Sequence, residues 1–219
     1  MNKAYTKKYY ANINHSLLEF CNTNFTLRPI VNEDLETLFA WRNDPLVNKH
    51  LVSPPPKDMH EQRLWFRNYI QDPGCIHFMT MMRRSEDIKV GYCQLLRIDS
   101  HKSTAEYGVV IGEKKFIGRG FGLKLIITLV KIAFSFLGFQ VLYANINPEN
   151  KSSKRIVQDF MGATIVNGNH EIYSKRNEEL FRIDKEAFDS FEMKLVTKSK
   201  KWVDIFNIKQ IESCKLEKK

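Results

Sequence analysis

The sequence predicts a single domain of the α/β class built around a run of antiparallel strands. The chain has 219 residues, 43% of them hydrophobic and 12% aromatic, and this composition supplies a sizeable core and argues against intrinsic disorder. Apolar residues recur at helical spacing in some segments and alternate with polar residues in others. Glycine and proline clusters separate these segments, which therefore predict helices and strands within one fold.

The first third of the chain predicts one strand followed by two helices. Residues 24–28 alternate apolar and polar side chains, as a half-buried strand does. Asn32 is placed to cap a helix that ends at Asp44, because a residue before a proline avoids the helical conformation. After a stiff connection with three consecutive prolines, residues 59–70 predict a second, amphipathic helix.

The middle of the chain predicts three strands, at residues 76–83, 88–98 and 104–112. Only short polar turns separate these strands, so they should pair as an antiparallel meander. A glycine-rich turn at residues 118–122 then leads into a long helix that extends to about Leu137. Apolar residues cover most of this helix, which therefore needs burial on more than one side.

The last third predicts a strand at residues 141–146 and a helix at residues 150–161. Residues 163–166, 171–174 and 188–196 are weaker strand candidates. No internal repeat is present, which favours one domain over an array of smaller units.

Both ends of the chain lie outside the predicted domain at residues 24–196. Residues 1–23 are polar and mixed, and we expect them to form an N-terminal extension. Residues 197–219 form a basic tail that is compatible with a short amphipathic helix. A membrane or a nucleic acid is one partner for such a helix, but packing on its own domain or on a second subunit of a homodimer is favoured by its large apolar residues. These are Trp202, Ile205, Phe206 and Ile208.

The formal net charge of +9 is the feature that would suggest a nucleic-acid partner. Residues 196–219 hold seven lysines and three acidic residues, so this tail alone supplies four of the nine excess charges. The sequence has no zinc-finger spacing, no helix-turn-helix pattern and no aromatic RNA-binding signature. We therefore expect no specific nucleic-acid partner, and an anionic small ligand explains the remaining charge equally well.

The four cysteines, Cys21, Cys75, Cys93 and Cys214, are widely separated and suit a reducing compartment. Their spacing predicts neither a disulfide framework nor a metal site. The most apolar stretch, residues 125–137, is interrupted by polar residues and is too short to span a bilayer. The sequence therefore predicts a cytoplasmic protein without a bound metal ion.

The turn with Gly118, Gly120 and Gly122 carries the strongest chemical signal. Glycines let a ligand approach the backbone closely, and the free amides and the dipole of the following helix attract an anion. These features predict a cradle for a pyrophosphate group, although such a turn can also serve only as a tight connection. No Gly-Lys-Ser/Thr follows, which excludes a Walker loop, and the preceding meander is unlike the parallel units of a Rossmann fold.

The same turn resembles the coenzyme A signature of the GNAT N-acetyltransferase family, Gln/Arg-x-x-Gly-x-Gly/Ala, and the resemblance extends over residues 25–195. Both glycines of the signature match, but Ile117 replaces its polar first residue, and Arg119 could supply the charge instead. Val157 stands where many members have a tyrosine that protonates the leaving thiolate. The asparagine and serine positions of the family are matched by Asn145, Asn147, Asn150 and Ser153.

This resemblance implies the GNAT-type acyl-CoA N-acyltransferase fold, with helices on both faces of a mixed, mainly antiparallel sheet. The sheet would splay open between the strand before the glycine turn and the strand at residues 141–146. The resemblance also implies acetyl-CoA as the acyl donor. The residues expected to bind it are Val109, Val110, Ile111, Gly118, Arg119, Gly120, Phe121, Gly122, Leu123, Asn145, Asn150 and Ser153.

Acetyl transfer to an amine requires a base for the ammonium proton. Glu106, which opens the strand that leads to the turn, is the candidate base, and a strand-end glutamate without a catalytic role is the alternative. Tyr107 and Tyr143 are candidates for the acid. Cys93 could carry the acyl group, but a cysteine on an apolar strand is commonly inert, so we expect direct transfer.

A second set of residues, beginning with Leu27-Arg-Pro and Asp34-Leu35, narrows the resemblance to one branch of the family. This branch contains ribosomal-protein alanine N-acetyltransferases and the N-acetyltransferases of nucleotide-linked amino sugars. Acceptor binding is implied for Trp41, Arg42, Asn43, His60 and Trp65. The Trp-Arg-Asn run with a downstream His and Trp favours a small-molecule amine on a nucleotide-linked sugar. The alternatives are a protein N-terminus and, in another functional class, a non-catalytic module that binds coenzyme A.

Overall fold

The computed structural model describes residues 18–211 except residues 52, 169, 171, 175, 176 and 199. Its strands are β1 (Glu19–Cys21), β2 (Phe25–Pro29), β3 (Ile76–Met82), β4 (Ser85–Asp99), β5 (Thr104–Ile111), β6 (Val141–Ile146), β7 (Thr164–Ile165), β8 (Glu179–Asp184) and β9 (Lys209–Ile211). Its α-helices are α1 (Leu35–Asn43), α2 (Pro45–Asn48), α3 (Met59–Tyr69), α4 (Phe121–Ser135), α5 (Lys151–Arg155), α6 (Lys185–Lys198) and α7 (Lys200–Phe206). A π-helical turn, Ile156–Phe160, continues α5.

The described strands form one sheet in the order β7-β8-β6-β5-β4-β3-β2-β1-β9. Neighbouring strands run antiparallel, except that β5 and β6 are parallel. Strands β3, β4 and β5 are the predicted meander, so the prediction of a mixed, mainly antiparallel sheet is confirmed. A parallel pair needs a crossover connection, and α4 supplies it between β5 and β6.

Strands β5 and β6 separate after a short stretch of pairing. The paired residues are Thr104 with Val141, Ala105 with Leu142 and Glu106 with Tyr143. Strand β5 continues to Ile111 without further pairing to β6. The sheet therefore splays open beyond Glu106, as the resemblance to the GNAT family implied.

The sheet carries a hydrophobic core on each face. In the main core, α4 lies against the sheet with nine buried residues, as its apolar circumference predicted. The second core packs α1 and α3 against Met79, Tyr92 and Val110. Trp41 belongs to this second core. Its ring lies directly against the backbone of Gly112, where a Cβ atom would come within 2.0 Å of the ring. The predicted helices on both faces are thus confirmed.

A buried carboxylate, rather than the predicted Asn32 cap, holds the start of α1. Asp34 is fully buried and accepts hydrogen bonds from Arg28, at 2.7 and 2.9 Å, and from the Val31 amide at 3.0 Å. Lys89 Nζ lies 2.9 Å from the same carboxylate. Burial alone would raise the pKa of Asp34, but these donors outweigh burial and lower the pKa below its ordinary value. Asn32 instead opens a 3-10 turn, since Asp34 supplies the acceptor oxygen.

The sheet extends beyond the expected domain boundaries at residues 24 and 196. Strand β1 pairs with both β2 and β9, so the two ends of the described chain form one edge of the sheet. The Asn22 side chain donates to Thr128 Oγ1 at 2.9 Å and to the Ile205 carbonyl at 3.1 Å. These contacts join the end of the first strand to α4 and to the C-terminal tail. They link residues far apart in the chain, so local sequence pattern did not predict them.

The C-terminal segment packs on its own domain. Ile205, Phe206 and Ile208 are buried in the main core, and the Phe206 ring lies 6.1 Å from that of Phe188. The predicted short helix corresponds to α7. The remainder of the expected extension and tail, residues 1–17 and 212–219, lies outside the described residues.

Two of the predicted strands are wrong. Residues 188–196 lie in α6, because Phe188, Phe191 and Leu195 have helical spacing and pack together on the main core. Residues 172–174 lie in the loop after β7, and residue 171 lies outside the described residues. The strand that the pattern missed is β8, which pairs with β6 along its length.

Candidate functional site

One cavity of about 1260 Å³ opens where β5 and β6 separate. We call the part lined by the ends of β5 and β6, the glycine turn and α5 the glycine half. We call the part lined by α1, α3 and the adjoining residues of β3 and β4 the aromatic half. Glu106 is the last residue of β5 that pairs with β6, and it lies in the cavity wall between these halves.

The backbone of the glycine turn is exposed to the cavity. Gly118 and Gly120 have φ angles of +75° and +79°, which favour glycine, and a Cβ on either would meet no atom within 4 Å. Helix α4 begins at Phe121, and the Lys124 amide donates to the Gly120 carbonyl at 3.3 Å. The amides of Phe121, Gly122 and Leu123, in the first turn of α4, therefore have no intrahelical acceptor, and the space in front of Gly118 and Gly120 is open.

Most of the predicted coenzyme residues lie together around the glycine half. Two do not line the cavity: Phe121 packs its ring on Phe116 at 4.7 Å, and Arg119 is exposed outside the cavity wall. Arg119 is thus not placed to replace the polar side chain that Ile117 lacks. The predicted residues that do line it are Val109, Val110, Ile111, Gly118, Gly120, Gly122, Leu123, Asn145, Asn150 and Ser153.

The two asparagines of the glycine half have local structural partners. Asn150 caps α5, since its side chain accepts a hydrogen bond from the Ser153 amide at 3.1 Å. The Asn145 side chain donates to the Tyr173 carbonyl at 2.8 Å, while its Oδ1 is buried and has no hydrogen-bond partner among the described residues. Val157 is also buried at this wall, in the π-helical turn.

Glu106 is a buried carboxylate that forms an ion pair with Arg97. The side chain of Glu106 is 6% exposed and that of Arg97 is 33% exposed. Arg97 has a φ of +48°, an uncommon value for a residue with a side chain. Burial lowers the pKa of Arg97, but a guanidinium remains charged at neutral pH.

Tyr173 covers this end of the site from the loop between β7 and β8. Its hydroxyl donates to the Arg97 carbonyl at 2.9 Å and lies 2.8 Å from Thr104 Oγ1. Its ring stacks on that of Tyr143, with a centroid distance of 4.3 Å and an interplanar angle of 18°. Burial raises the pKa of Tyr173, so its hydroxyl stays protonated at neutral pH.

Three rings form the wall of the aromatic half. Trp65 stacks on Tyr69 at a centroid distance of 5.7 Å and meets the ring of His77 edge-on at 5.2 Å. The Tyr69 hydroxyl donates to the His77 carbonyl at 3.2 Å, and burial raises the pKa of Tyr69 to about 12. This geometry gives a rigid apolar wall with polar edges.

The predicted acceptor residues fall into two groups. Arg42 and Trp65 line the cavity, and the Arg42 guanidinium also donates to the Pro54 carbonyl at 2.7 Å. The other three do not line it. Trp41 packs on Gly112, Asn43 donates to the backbone of the proline-rich connection at 3.2 Å, and His60 is exposed on α3.

Several residues of the site were not predicted from the sequence. Arg97 and Tyr173 had no signal, because their positions depend on strand pairing and on a loop. His77 carried one: it is a polar side chain within an otherwise apolar predicted strand, and it is 4% exposed in the structure. The other residues missed in the cavity wall include Tyr69, Tyr92 and Gln94.

The candidates for an acid and for a covalent acyl carrier lie in apolar surroundings. Tyr107 is buried in the main core, and Tyr143 is stacked under Tyr173. Cys93 is fully buried in the main core, and burial raises its pKa to about 12. A thiol of that acidity is protonated at neutral pH, which argues against an acyl-cysteine intermediate.

Within the described residues, no helix is both long enough and apolar enough to cross a bilayer. No group of three or more metal-ligating side chains occurs in the same part of the chain.

Comparison with known proteins gives a family-level match. Residues 24–160 match the family model of the "Acetyltransferase (GNAT) domain". Over 134 residues the chain is 26% identical to the "Uncharacterized N-acetyltransferase p20" of Bacillus licheniformis, which covers 60% of this chain and 75% of that protein. Over 139 residues it is 24% identical to an uncharacterized protein of Methanocaldococcus jannaschii, which covers 63% of this chain but 28% of that protein.

A solved structure is similar in fold. The spermidine N-acetyltransferase of Vibrio cholerae, in complex with CoA and spermine, superposes with a TM-score of 0.63 at 20% identity. The superposition covers 76% of this chain and 99% of that protein. At this identity the likeness concerns the fold alone.

Proposed function

This chain belongs to the GNAT acetyltransferase family and is an acetyl-CoA-dependent N-acetyltransferase, and from this premise we propose that its acceptor is an amino group on a nucleotide-linked sugar. The observation that carries this proposal is the aromatic half of the cavity, where stacked rings and basic side chains lead to the buried carboxylate of Glu106. Sugars and bases bind to such rings through their flat faces.

The glycine half fits acetyl-CoA in two ways. The open backbone around Gly118 and Gly120 offers unpaired amides at the start of a long helix, which suits the diphosphate. The buried Oδ1 of Asn145 offers an acceptor for an amide N–H of the pantetheine arm. The adjoining residues of β5, Val109 to Ile111, line the gap and would bind the same arm through their backbone groups.

Glu106 is proposed as the base for the acceptor amine. Acetyl-CoA supplies a thioester, whose carbonyl carbon the amine nitrogen attacks as the carbon–sulfur bond breaks. The acceptor ammonium reacts only after it loses a proton, which the Glu106 carboxylate can take directly or through one water. The nitrogen loses a second proton as the amide forms, and this proton passes to water or to the departing thiolate. Val157 cannot donate a proton to the sulfur, but a thiol has a pKa of about 8.5, so coenzyme A can leave as the thiolate.

The charges of the aromatic half favour a neutral or anionic acceptor over a polyamine. The acidic side chains among the described residues that line the whole cavity are Asp72 and Glu106, and Glu106 is already paired with Arg97. Arg42 lines the aromatic half, and Lys49 lines the same cavity. A polyamine is a polycation that would need several unpaired carboxylates, whereas basic side chains attract the diphosphate of a nucleotide sugar.

The experiment is an acceptor panel in which the purified chain is mixed with acetyl-CoA and one amine. The amines are UDP-glucosamine, spermidine and a peptide with an N-terminal alanine, and release of free coenzyme A is measured against acetyl-CoA alone. We expect UDP-glucosamine to give the highest kcat/KM. Preference for the peptide or for spermidine would overturn the acceptor assignment.

Isothermal titration with acetyl-CoA distinguishes an enzyme from a module that only binds coenzyme A. Binding of acetyl-CoA without release of coenzyme A for any amine would favour a non-catalytic coenzyme A-binding module. Absence of binding would contradict the assignment of the glycine half.

A further inference from the structure

We propose that Arg97 is a positioning residue for acetyl transfer, which orients the Glu106 carboxylate and keeps it ionised so that it can take the acceptor proton. This inference rests on the proposed role of Glu106 as the base. It also gives a function to the irregular pairing of β4 with β5 at Arg97.

The pairing of β4 with β5 is irregular at this position. Leu96 pairs with Glu106 and Asp99 pairs with Thr104, so two residues of β4 stand opposite one residue of β5. This arrangement is a β-bulge, and Arg97 occupies it with a φ of +48°. The conformation is costly for a residue with a Cβ, so the surrounding structure must hold it in place.

The bulge changes the face to which Arg97 points. Paired residues of neighbouring strands share a face, so Leu96 lies on the face of Glu106, and the next residue of a regular strand would point to the other face. Arg97 instead reaches the carboxylate of Glu106. The irregularity therefore brings a guanidinium to the wall of the cavity.

Tyr173 holds the bulge from outside the strand pair. Its hydroxyl contacts the Arg97 carbonyl at 2.9 Å and Thr104 Oγ1 at 2.8 Å, and these two contacts span β4 and β5. Its ring rests on Tyr143, which is the β6 partner of Glu106. Three strands and one loop thus set the position of one arginine.

Arg97 is the cation that forms an ion pair with Glu106 at this wall of the cavity. A carboxylate that is 6% exposed needs an opposite charge to remain ionised. Tyr143 and Tyr173 lie nearby, Glu178 and Asp99 are the acidic neighbours of this cluster, and Arg182 lies opposite Tyr143 on β8. His77 faces the same cavity from β3.

The first test needs no acceptor and follows the Glu106 carboxyl signal by carbon-13 NMR against pH, with Glu106→Gln used to assign the signal. In Arg97→Gln we expect the titration midpoint of Glu106 to move to higher pH by about one unit or more, because the loss of a neighbouring positive charge makes a buried carboxylate favour the protonated form. Arg155→Gln, which removes an exposed arginine paired with Asp159, is the control and should leave the midpoint unchanged. An unmoved midpoint in Arg97→Gln would overturn the proposal.

The second test measures kcat and KM for UDP-glucosamine and acetyl-CoA from mildly acidic to mildly alkaline pH. In Arg97→Gln we expect kcat to fall about tenfold or more at neutral pH, with the acid limb moved to higher pH. Arg97→Lys should recover part of kcat, because it restores the charge without the fork geometry. A uniform loss of kcat at every pH would contradict a positioning role.

The two tests fail separately. If the midpoint of Glu106 moves but no amine is acetylated, the pairing stands and the proposed function fails. Tyr173→Phe keeps Arg97 and Glu106 but removes the hydroxyl that contacts the Arg97 carbonyl and Thr104, so the bulge is held less firmly and kcat should fall about threefold. It also replaces Arg97→Gln as the test if that variant does not fold, and an unchanged kcat and midpoint would then overturn the proposal.

Discussion

Two buried carboxylates of this protein, Asp34 and Glu106, each pair with an arginine but lie in different surroundings. Asp34 is enclosed by donors from Arg28, Lys89 and a backbone amide, and it does not line the cavity. Glu106 lines the cavity and meets a guanidinium held at a strand bulge. Charge pairing alone therefore does not mark a functional site. A carboxylate can move a proton only where one side of it remains open to a ligand.

The largest expected effect separates the two carboxylates by activity. Glu106→Gln should lower kcat by about a hundredfold or more, because the amine loses its base. Acetyl-CoA affinity, measured by isothermal titration, should stay within about twofold, since the glycine half is untouched. The matched control is Glu192→Gln, which removes a carboxylate paired with Lys131 away from the cavity. An unchanged kcat in Glu106→Gln would remove the contrast with Asp34.

A variant of the other carboxylate, Asp34, should lower the stability of the fold and leave acetyl transfer unchanged. Asp34→Asn leaves Arg28 and Lys89 without their counter-charge, so the free energy of unfolding should fall by about 3–5 kcal/mol in urea denaturation. The folded fraction should keep its KM values. Loss of kcat with unchanged stability would place Asp34 in the site and contradict the comparison.

The pH dependence of this stability has a defined sign. Folding lowers the pKa of Asp34, so its contribution is present above the ordinary carboxyl pKa and is lost as pH falls through the lowered value. The stability difference between the protein and Asp34→Asn should therefore shrink in acid. A difference that grows in acid would contradict the assigned direction.

The glycine turn gives a smaller effect with a close control. Gly120→Ala and Gly168→Ala both place a Cβ at a positive φ and in open space, so each should cost about 1 kcal/mol of stability. Only Gly120 lies in the cavity, and we expect its variant to bind acetyl-CoA about tenfold more weakly, which corresponds to about 1.4 kcal/mol. Equal affinities of the two variants for acetyl-CoA would contradict a phosphate cradle at this turn.

The smallest effect is expected at Cys93. Its thiol has a pKa raised by burial to about 12, so it is not a nucleophile at neutral pH. Cys93→Ala should keep kcat within about twofold in the coenzyme A release assay. A large loss of kcat, with an acetylated cysteine detected by mass spectrometry, would replace direct transfer with a covalent route.

Much of the fold followed from short-range pattern. The meander, the glycine turn and the helix after it were predicted because strand alternation, turn glycines and apolar coverage are local properties. The strand at residues 188–196 was predicted wrongly because its apolar residues fit the period of a helix as well as that of a strand. Phe188, Phe191 and Leu195 suit a helix as well as a strand, and packing on the main core decided for the helix.

The site was predicted in part for the same reason. The glycine half depends on a turn and the first residues of a helix, so sequence spacing located it. The aromatic half depends on which side chains of separate elements meet, and the motif residue Trp41 entered the second core while Tyr69 and His77 lined the cavity. Side-chain chemistry alone could not distinguish these two outcomes.

Local pattern in the sequence was enough to predict the meander, the glycine turn with the helix after it, and Glu106 as a candidate base. The long-range contacts of the folded chain were needed to show that Arg97 faces that carboxylate and that Tyr173 covers the bulge. The physical reason is that periodicity and turn chemistry act over a few residues. Strand register and the face chosen at a bulge depend instead on contacts between residues distant in the chain.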